Sequence, residues 1–498
     1  MRPDVILRYI GMVLVMLGAF MLLSAAVSLL YKDAAVLPLA YSGVITLLFG
    51  MFPMVFVPAS PKITSNEGLL IVVAGWLLSC LFGALPYIFW GHEFTFTNAW
   101  FESVSGFTTT GSSILTEIES LPHGLLLWRA STHWIGGLGI LIFVLSVLPA
   151  MGVAGMVLFR IELSPLARDN FRQSMRETSR ILLYVYGGLT LAETIALVAV
   201  GMNLFDAVTH SFATIATGGF SPRNASIGAY DSPAIEGVIM LFMLLSGVHF
   251  GLLFSTLIQR RGPFWKSVVF RYYVTAILIG VVVVTIALGG QADNAWIDSV
   301  RHGAFQVISL GTSTGFATAD SSVWPPLAQI MLMFFALQCA CAGSTSGGIK
   351  ADRFVLFGKG IWKQIRHARH PRAIIPLRVD GKAVDDQALA AAMLYIGLYA
   401  TIVISGGLLL MVLGLDPLSA FSGTIATTGN VGPGLGTVGS FENFAGVPGP
   451  GKWILTGTML LGRLEIYGLI MLLMPSVWRR LATPARQEFQ RVVLASRR

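Results

Sequence analysis

The stretch Ser105-Gly-Phe-Thr-Thr-Thr-Gly111 follows an apolar segment and a half-polar one, and another apolar segment comes after it. The same arrangement recurs at Thr214-Ile-Ala-Thr-Gly-Gly219, Gly311-Thr-Ser-Thr-Gly315 and Thr424-Ile-Ala-Thr-Thr-Gly-Asn-Val-Gly432. Copies spaced by roughly 100 residues mark an internal repeat, and four of them suggest one shared site. A single string of this kind is ordinary turn sequence. Four at matched places between apolar segments have the context that motif reading demands.

Of the 498 residues, 55% are hydrophobic and 12% charged, whereas about a quarter are charged in soluble globular proteins. Segments 13–30, 69–90, 125–148, 235–257 and 274–288 approach the ~20 apolar residues that span a bilayer as a helix. The chain therefore reads as an all-α polytopic membrane protein. No small-residue cleavage pattern follows the first apolar segment, so it is expected to be a retained helix and not a signal peptide.

A net charge of +8 would raise nucleic acid as a partner in a soluble protein. Here the charge is confined to clusters: Arg160, Arg168, Arg172, Arg176 and Arg180; Arg260, Arg261, Lys266 and Arg271; Lys350 to Lys382; and Arg479 to Arg498. The positive-inside rule makes these loops and both termini cytoplasmic, and the partner is a lipid bilayer with no nucleic acid. Loops carrying Glu117, Glu119, Asp231, Asp293, Asp320 and Glu442 face outward. Cys80, Cys339 and Cys341 lie in apolar surroundings and form neither a disulfide framework nor a zinc site.

Residues 1–65 read as a two-helix hairpin outside the repeat. Four units follow at 66–160, 161–262, 263–382 and 383–498, the third with a broken second helix and a cytoplasmic loop, the fourth with a basic tail. Each is expected to run helix, half-helix, filter-like loop, helix. The half-helices are 95–104, 204–213, 295–310 and 417–424, all too short and too polar to cross. The fold class is thus four helix/pore-loop/helix repeats around a central pore, plus two extra N-terminal helices.

Irregular backbone at membrane depth is tolerated only where it is buried in protein or lines a water-filled cavity, so four such loops need a common cavity. The half-helix before each loop aims the negative end of its dipole at the centre, which favours a cation. Loop carbonyls can then replace an ion's hydration shell, glycine permits the required backbone, and threonine hydroxyls add ligands. The candidate filter residues are Thr109, Thr110 and Gly111; Thr217, Gly218 and Gly219; Ser313, Thr314 and Gly315; and Asn430, Val431 and Gly432. In the fourth copy Gly429 also fits the signal.

The helix beginning at Leu327 runs into Cys341-Ala-Gly-Ser-Thr-Ser-Gly-Gly348, then Ile349 and Lys350. Such a run is poor helix. On the cytoplasmic side of the loops, Gly343, Ser344, Thr345, Ser346, Gly347, Gly348 and Lys350 form either a gate or a plain flexible kink. Arg463 in Gly462-Arg-Leu-Glu465 is costly in an apolar segment; it either faces the cavity as a barrier to cations or pairs with Glu465 or another carboxylate. His133 and His249 are expected to make buried structural hydrogen bonds, and His367 and His370 to be solvated. The GxGxxG match at Gly434-Leu-Gly-Thr-Val-Gly439 lacks a preceding strand and a following helix, and is rejected as a dinucleotide site.

The strings Phe101-Glu-Ser-Val-Ser-Gly-Phe-Thr-Thr-Thr-Gly111, His210-Ser-Phe-Ala-Thr-Ile-Ala-Thr-Gly-Gly-Phe-Ser221, Cys341-Ala-Gly-Ser-Thr-Ser-Gly-Gly-Ile-Lys350, Asn430-Val-Gly-Pro-Gly-Leu-Gly436 and Gly462-Arg-Leu-Glu465 resemble the Trk/Ktr/HKT potassium transporters, specifically their bacterial TrkH branch. The resemblance covers nearly the whole chain. It implies a potassium filter, an intramembrane gating loop at 343–348 and a pore-facing Arg463. It also implies a homodimer that docks a TrkA-like cytosolic nucleotide-binding regulatory subunit. Gly111 favours potassium, since sodium-preferring plant relatives resemble this pattern with serine there. The chain departs from the family at Gly429, before Asn430, and at Ser346, where a further glycine is common.

The expected function is potassium uptake, passive or as proton symport, across a bacterial inner membrane. Potassium is the substrate and the only metal, no cofactor is held in this chain, and no catalytic residues are expected. A sodium- or proton-coupled solute carrier with broken helices is the alternative, and four loops instead of two related halves count against it. A membrane enzyme would need converging acid, base or metal groups.

Overall fold

The computed structural model describes residues 2–58, 65–146, 175–257, 264–289, 296–373, 375–464 and 466. The basic residues at 160–172, 260–261 and 479–498, together with Asp293 and Glu465, lie outside them, as do the end of the final expected helix and the side chains of Arg176 and Arg180. Helices α1 (Pro3–Tyr31) and α2 (Val36–Phe56) form the expected hairpin. They cross closely because glycines meet on both sides: a Cβ on Gly11 would stand 2.5 Å from the Gly50 carbonyl oxygen. Small residues at the seam are how helices associate in lipid. The Arg2–Glu67 ion pair, 3.0 Å, ties this hairpin to α3 (Ser65–Gly83).

The remaining α elements run α4 (Leu85–Trp90), α5 (Phe96–Phe107), α6 (His123–Ser146), α7 (Met175–Ala199), α8 (Leu204–Ile215), α9 (Pro233–Ser246), α10 (Phe250–Leu257), α11 (Val268–Gly289), α12 (Trp296–Gly311), α13 (Pro326–Leu337), α14 (Ala351–Arg369), α15 (Asp386–Val412), α16 (Pro417–Thr428) and α17 (Gly449–Arg463). Among the described residues six spans are long and apolar enough to cross a membrane, seven if the bent pair α9 and α10 counts as one. The chain is a multi-pass membrane protein. A two-stranded hairpin, β1 (Arg378–Val379) with β2 (Lys382–Ala383), turns at Asp380-Gly381; Asp-Gly accepts the positive φ that a tight hairpin turn requires.

Two apolar cores sit side by side. One joins α1 and α3 to α5 and α6 and to Leu410, Ala420, Leu455 and Met459 of the last quarter of the chain. The other joins α7 to α9 with α11 to α13 and Tyr395, Tyr399 and Val403. Leu48, Phe49, Phe52, Leu278, Ile279 and Ile286 stay exposed, as suits faces that meet lipid tails.

Two expectations need correction. The segment 235–257 is not one straight helix: α9 and α10 are bent by 100°. At the break Cys341 N–H donates to the Gly247 carbonyl and Phe250 N–H donates to the Gly343 carbonyl, each at 3.1 Å. A second strip of backbone has taken over the hydrogen bonds that a continuous helix would make. The half-helices, in turn, run past the expected ends at Val104, Ala213, Leu310 and Thr424, into the threonine-rich signals. Thr108, Thr214, Thr312 and Thr428 donate their hydroxyls to the carbonyl four residues back, at 2.6–2.8 Å. In a dry surrounding this gives each hydroxyl a partner without a side chain from another segment.

Candidate functional site

The short helices α5, α8, α12 and α16 all end in the same way. The third residue past each helix end folds back: Thr110, Gly218, Thr314 and Val431 N–H groups donate to the Ser105, Ala213, Ser309 and Ala426 carbonyls at 2.8–2.9 Å. The residues before them, Thr109, Thr217, Ser313 and Asn430, have φ between 51° and 58°. The glycines after them, Gly111, Gly219, Gly315 and Gly432, have φ of 85°, 81°, 83° and 105°. Left-handed backbone at a non-glycine residue is strained, yet it occurs four times at one register. The fourth register is therefore Asn430-Val431-Gly432, while Gly429 is a right-handed helix cap.

These four turns close on one another. A Cβ on Gly111 would collide with the Gly218 carbonyl oxygen, one on Gly219 with that of Thr314, and one on Gly315 with that of Val431. One on Gly432 would stand 2.7 Å from the Thr110 carbonyl oxygen. Each glycine thus abuts the carbonyl of the residue before the next glycine, and the fourth meets the first. The sites predicted from sequence come together as a ring in which glycine is required twice over, for φ and for room. Hydroxyls stitch the seams: Ser112 donates to the Gly432 carbonyl at 2.8 Å, and Asn430 Nδ2 donates to Thr110 Oγ1 at 3.0 Å. Helix carboxyl ends and backbone carbonyls supply the local field, which suits a partly dehydrated cation.

Residues that the sequence reading passed over hold the rising limb of each turn. Glu102, His210 and Gln306 each lie nine positions before their glycine. The Glu102 carboxylate accepts from Ser113 Oγ at 3.0 Å and Ile114 N–H at 3.1 Å. His210 Nδ1 donates to the Asp206 carbonyl at 2.7 Å, so Nε2 takes the Ser221 hydroxyl, 3.0 Å away. Gln306 Nε2 donates to the Ala319 carbonyl at 3.1 Å. The fourth copy has Gly423 there, and Ser422 Oγ accepts from Leu435 N–H at 2.8 Å instead. A polar residue at a constant offset was the available signal.

The first and second turns are also clamped from behind. Buried Arg129 donates from Nε to Glu102 at 2.7 Å and from Nη1 to the Ser221 carbonyl at 3.1 Å, with its guanidinium 3.8 Å over Phe220. His133 Nδ1 donates to the Gly106 carbonyl at 2.8 Å and Nε2 accepts from Phe220 N–H at 3.1 Å. Those two bonds fix the neutral tautomer and give His133 the expected structural role. His249 Nδ1 accepts from Gly251 N–H at 3.0 Å, capping α10 at the bend. His367 and His370 are exposed.

At the outer end the half-helices are capped by Thr95, Asn203 and Asp416, which accept from Asn98, Asp206 and Ser419 N–H groups. The Ser419 bonds hold the Asp416 carboxyl below its ordinary range. Burial works to raise that of Asp206, but hydrogen bonds from Tyr230, Arg223 and Asn203 outweigh it and hold the carboxyl low.

Beneath the ring lies the 338–349 loop. Cys339 N–H donates to the Ile349 carbonyl and Ile349 N–H to that of Leu337, so the loop closes at its neck. Thr345 Oγ1 donates to the Ile215 carbonyl at 3.0 Å, and Ser313 Oγ receives Gly347 N–H at 2.8 Å and donates to Ser346 Oγ at 3.1 Å. The Ser346 departure from the family pattern thus gives the loop a hydroxyl against the third turn. Lys350 Nζ donates to the Ser346 carbonyl. Gly343 and Gly348 take positive φ, and Ser344 Oγ donates to the Cys341 carbonyl at 2.6 Å. Arg463, 1% exposed, donates to the Thr345 carbonyl at 2.9 Å and to the Gly136 carbonyl at 3.1 Å.

A family profile described as TrkH, cation transport protein, matches residues 40–479. The chain belongs to the TrkH family. It is 37% identical over 481 residues to the Trk system potassium uptake protein TrkH of Escherichia coli K12, covering 95% of this chain and 99% of that one. The corresponding protein of Vibrio parahaemolyticus is 35% identical over 483 residues, with 95% and 99% covered. The crystal structure of the potassium transporter TrkH from Vibrio parahaemolyticus superposes with a TM-score of 0.87 at 33% identity, covering 96% of this chain and 100% of that one. The all-α membrane fold is therefore the family's fold.

Proposed function

We propose that this protein takes up potassium across a bacterial inner membrane, through a filter formed by Thr109–Gly111, Thr217–Gly219, Ser313–Gly315 and Asn430–Gly432. The observation that carries this reading is the closed ring in which each turn's glycine abuts the next turn's carbonyl. Four carbonyls at matched positions can take the place of an ion's water shell. Units 66–160, 161–262, 263–382 and 383–498 each supply a quarter. A filter this short holds fewer ion sites than a TVGYG filter, so selectivity is expected to be weaker.

The loop Gly343–Gly348, held by Lys350 and Arg463, acts as the gate below the filter. Its bonds to Ile215, Ser313 and the α9–α10 break support this role. The transporter works as a homodimer with a cytosolic nucleotide-binding regulatory subunit, in keeping with relatives named for the Trk system, and with both termini inside. The test is growth of a potassium-uptake-deficient bacterium at low potassium, paired with rubidium uptake into proteoliposomes under sodium competition. Rescue and potassium-preferring uptake are expected. Failure of both with correctly inserted protein would overturn the reading.

A further inference from the structure

Four residues take left-handed backbone at one register of the ring: Thr109, Thr217, Ser313 and Asn430, with φ of 51°, 54°, 58° and 51°. All four are 0% exposed, yet their side chains are engaged differently. Thr109 Oγ1 has no hydrogen-bond partner among the described residues. Thr217 Oγ1 donates to the neighbouring Ala216 carbonyl at 2.7 Å. Asn430 Nδ2 donates to Thr110 Oγ1 and to the Met459 carbonyl, each at 3.0 Å. Among the described residues Ser313 is the one of the four whose side chain bonds the intramembrane loop, and it does so twice.

A hydroxyl has one proton to donate and lone pairs to accept with. The Ser313 proton goes to Ser346 Oγ at 3.1 Å, and a lone pair receives Gly347 N–H at 2.8 Å. Ser346 Oγ also accepts from Ala340 N–H at 3.3 Å, so the hydroxyl pair links the third turn to both limbs of the loop. Gly347 meets the fourth turn on its other side, where a Cβ would collide with the Gly429 carbonyl oxygen. The segment Ser346-Gly347 is therefore wedged between the third and fourth turns.

The first turn shows what these bonds are not for. Thr109 adopts the same backbone with its hydroxyl unpartnered among the described residues, so left-handed φ at this register needs no side-chain bond. The two Ser313 bonds act on the loop instead. Both exist only while the loop is seated beneath the ring, and contacts made in one state alone weight the equilibrium toward that state.

We propose that Ser313 is a positioning residue for the gate: with Ser346 it latches the 343–348 loop to the third turn and holds conduction shut until the loop withdraws. The Ser313 backbone belongs to the ring, while its hydroxyl serves the loop and not the ion. The inference rests on the ring being a filter and the loop its gate.

The experiment measures partner-free rubidium uptake into proteoliposomes for the wild type, Ser313→Ala, Ser346→Ala, the double variant and Ser313→Thr, with hydrogen–deuterium exchange of the same preparations. Ser346→Ala, which loses one neutral hydrogen bond to the turn, is expected to raise uptake about fivefold. Ser313→Ala loses both and is expected to raise it roughly tenfold or more. The double variant should match Ser313→Ala within about twofold, because a shared bond is lost only once. Threonine already occupies this register in the first two turns, so Ser313→Thr keeps the hydroxyl and is expected to stay within about twofold of wild type. Exchange at 343–348 should quicken in Ser313→Ala while exchange at 105–111 stays as in the wild type; general loosening quickens both, and that result would overturn the latch. So would unchanged uptake in Ser313→Ala, multiplied effects in the double variant, or a rise in Ser313→Thr equal to that of Ser313→Ala. Absence of rubidium uptake in every sample, with exchange at 343–348 alone still quickened, would count against the filter and leave the latch standing.

Discussion

The Arg463 guanidinium donates to the Thr345 carbonyl oxygen at 2.9 Å, joining the final helix to the intramembrane loop. A second nitrogen reaches the Gly136 carbonyl at 3.1 Å, so one side chain anchors the loop to the opposite wall. A charge-assisted hydrogen bond contributes about 1.5–3 kcal/mol, and about 1.4 kcal/mol is tenfold in an equilibrium constant. Arg463→Gln is expected to raise rubidium uptake in the absence of any partner by roughly tenfold. Arg463→Lys, which keeps the charge but not the fork, should fall between. Flux assays on purified protein in proteoliposomes decide this.

Gly315 has φ of 83° and faces the Val431 carbonyl with no room for a methyl group. Gly315→Ala adds about 1–2 kcal/mol of left-handed strain and pushes that carbonyl from the ring. Potassium-over-sodium uptake is expected to fall roughly tenfold, since about 1.4 kcal/mol at one site suffices. Gly187→Ala, where nothing lies within 4 Å of the added carbon, is the control and should leave the ratio alone. An unchanged ratio in Gly315→Ala would remove Gly315 from the filter.

Arg129 and Glu102 form a buried pair at 2.7 Å, with exposures of 2% and 0%. Removing one partner of such a pair costs about 3–5 kcal/mol, because the other charge stays buried. Arg129→Ala is expected to lower the thermal unfolding temperature in detergent sharply. The double variant Arg129→Met with Glu102→Gln should recover much of it, although the Ser113 and Ile114 contacts made by the carboxylate weaken.

Asp206 sits at the outer end of α8, where Tyr230 and Arg223 donate to Oδ2 at 2.6 and 2.9 Å. Its folded-state titration lies below that of the unfolded chain. The stability it contributes is therefore complete above the unfolded value of about 3.9 and is lost as pH falls through the lower folded value. Asp206→Asn should lower the unfolding temperature at neutral pH and flatten the acid limb of its pH dependence. Parallel wild-type and variant curves would contradict this.

Much of this molecule was legible in its sequence. Composition and apolar segment length determined the all-α membrane class, because lipid leaves the backbone few alternatives. The threonine/glycine signals located the first three turns of the ring and narrowed the fourth to two registers, since positive φ and close carbonyl approach both demand glycine. Other features depended on contacts between segments far apart in the chain. The break at Gly247–His249 reads as continuous helix until the Cys341 and Gly343 backbone is placed against it. Glu102 and His210 read as ordinary half-helix residues until the rising limbs reach them. Register in the fourth turn was open between Gly429 and Gly432, and only the repeated hydrogen bond from Val431 to Ala426 chose between them. The first stretch, Ser105–Gly111, announced that a loop must be held at membrane depth. Tertiary structure decided what holds it: His133 of α6 donates to the Gly106 carbonyl and Asn430 of the fourth turn donates to Thr110 Oγ1, because polar groups buried away from water take partners from segments far along the chain.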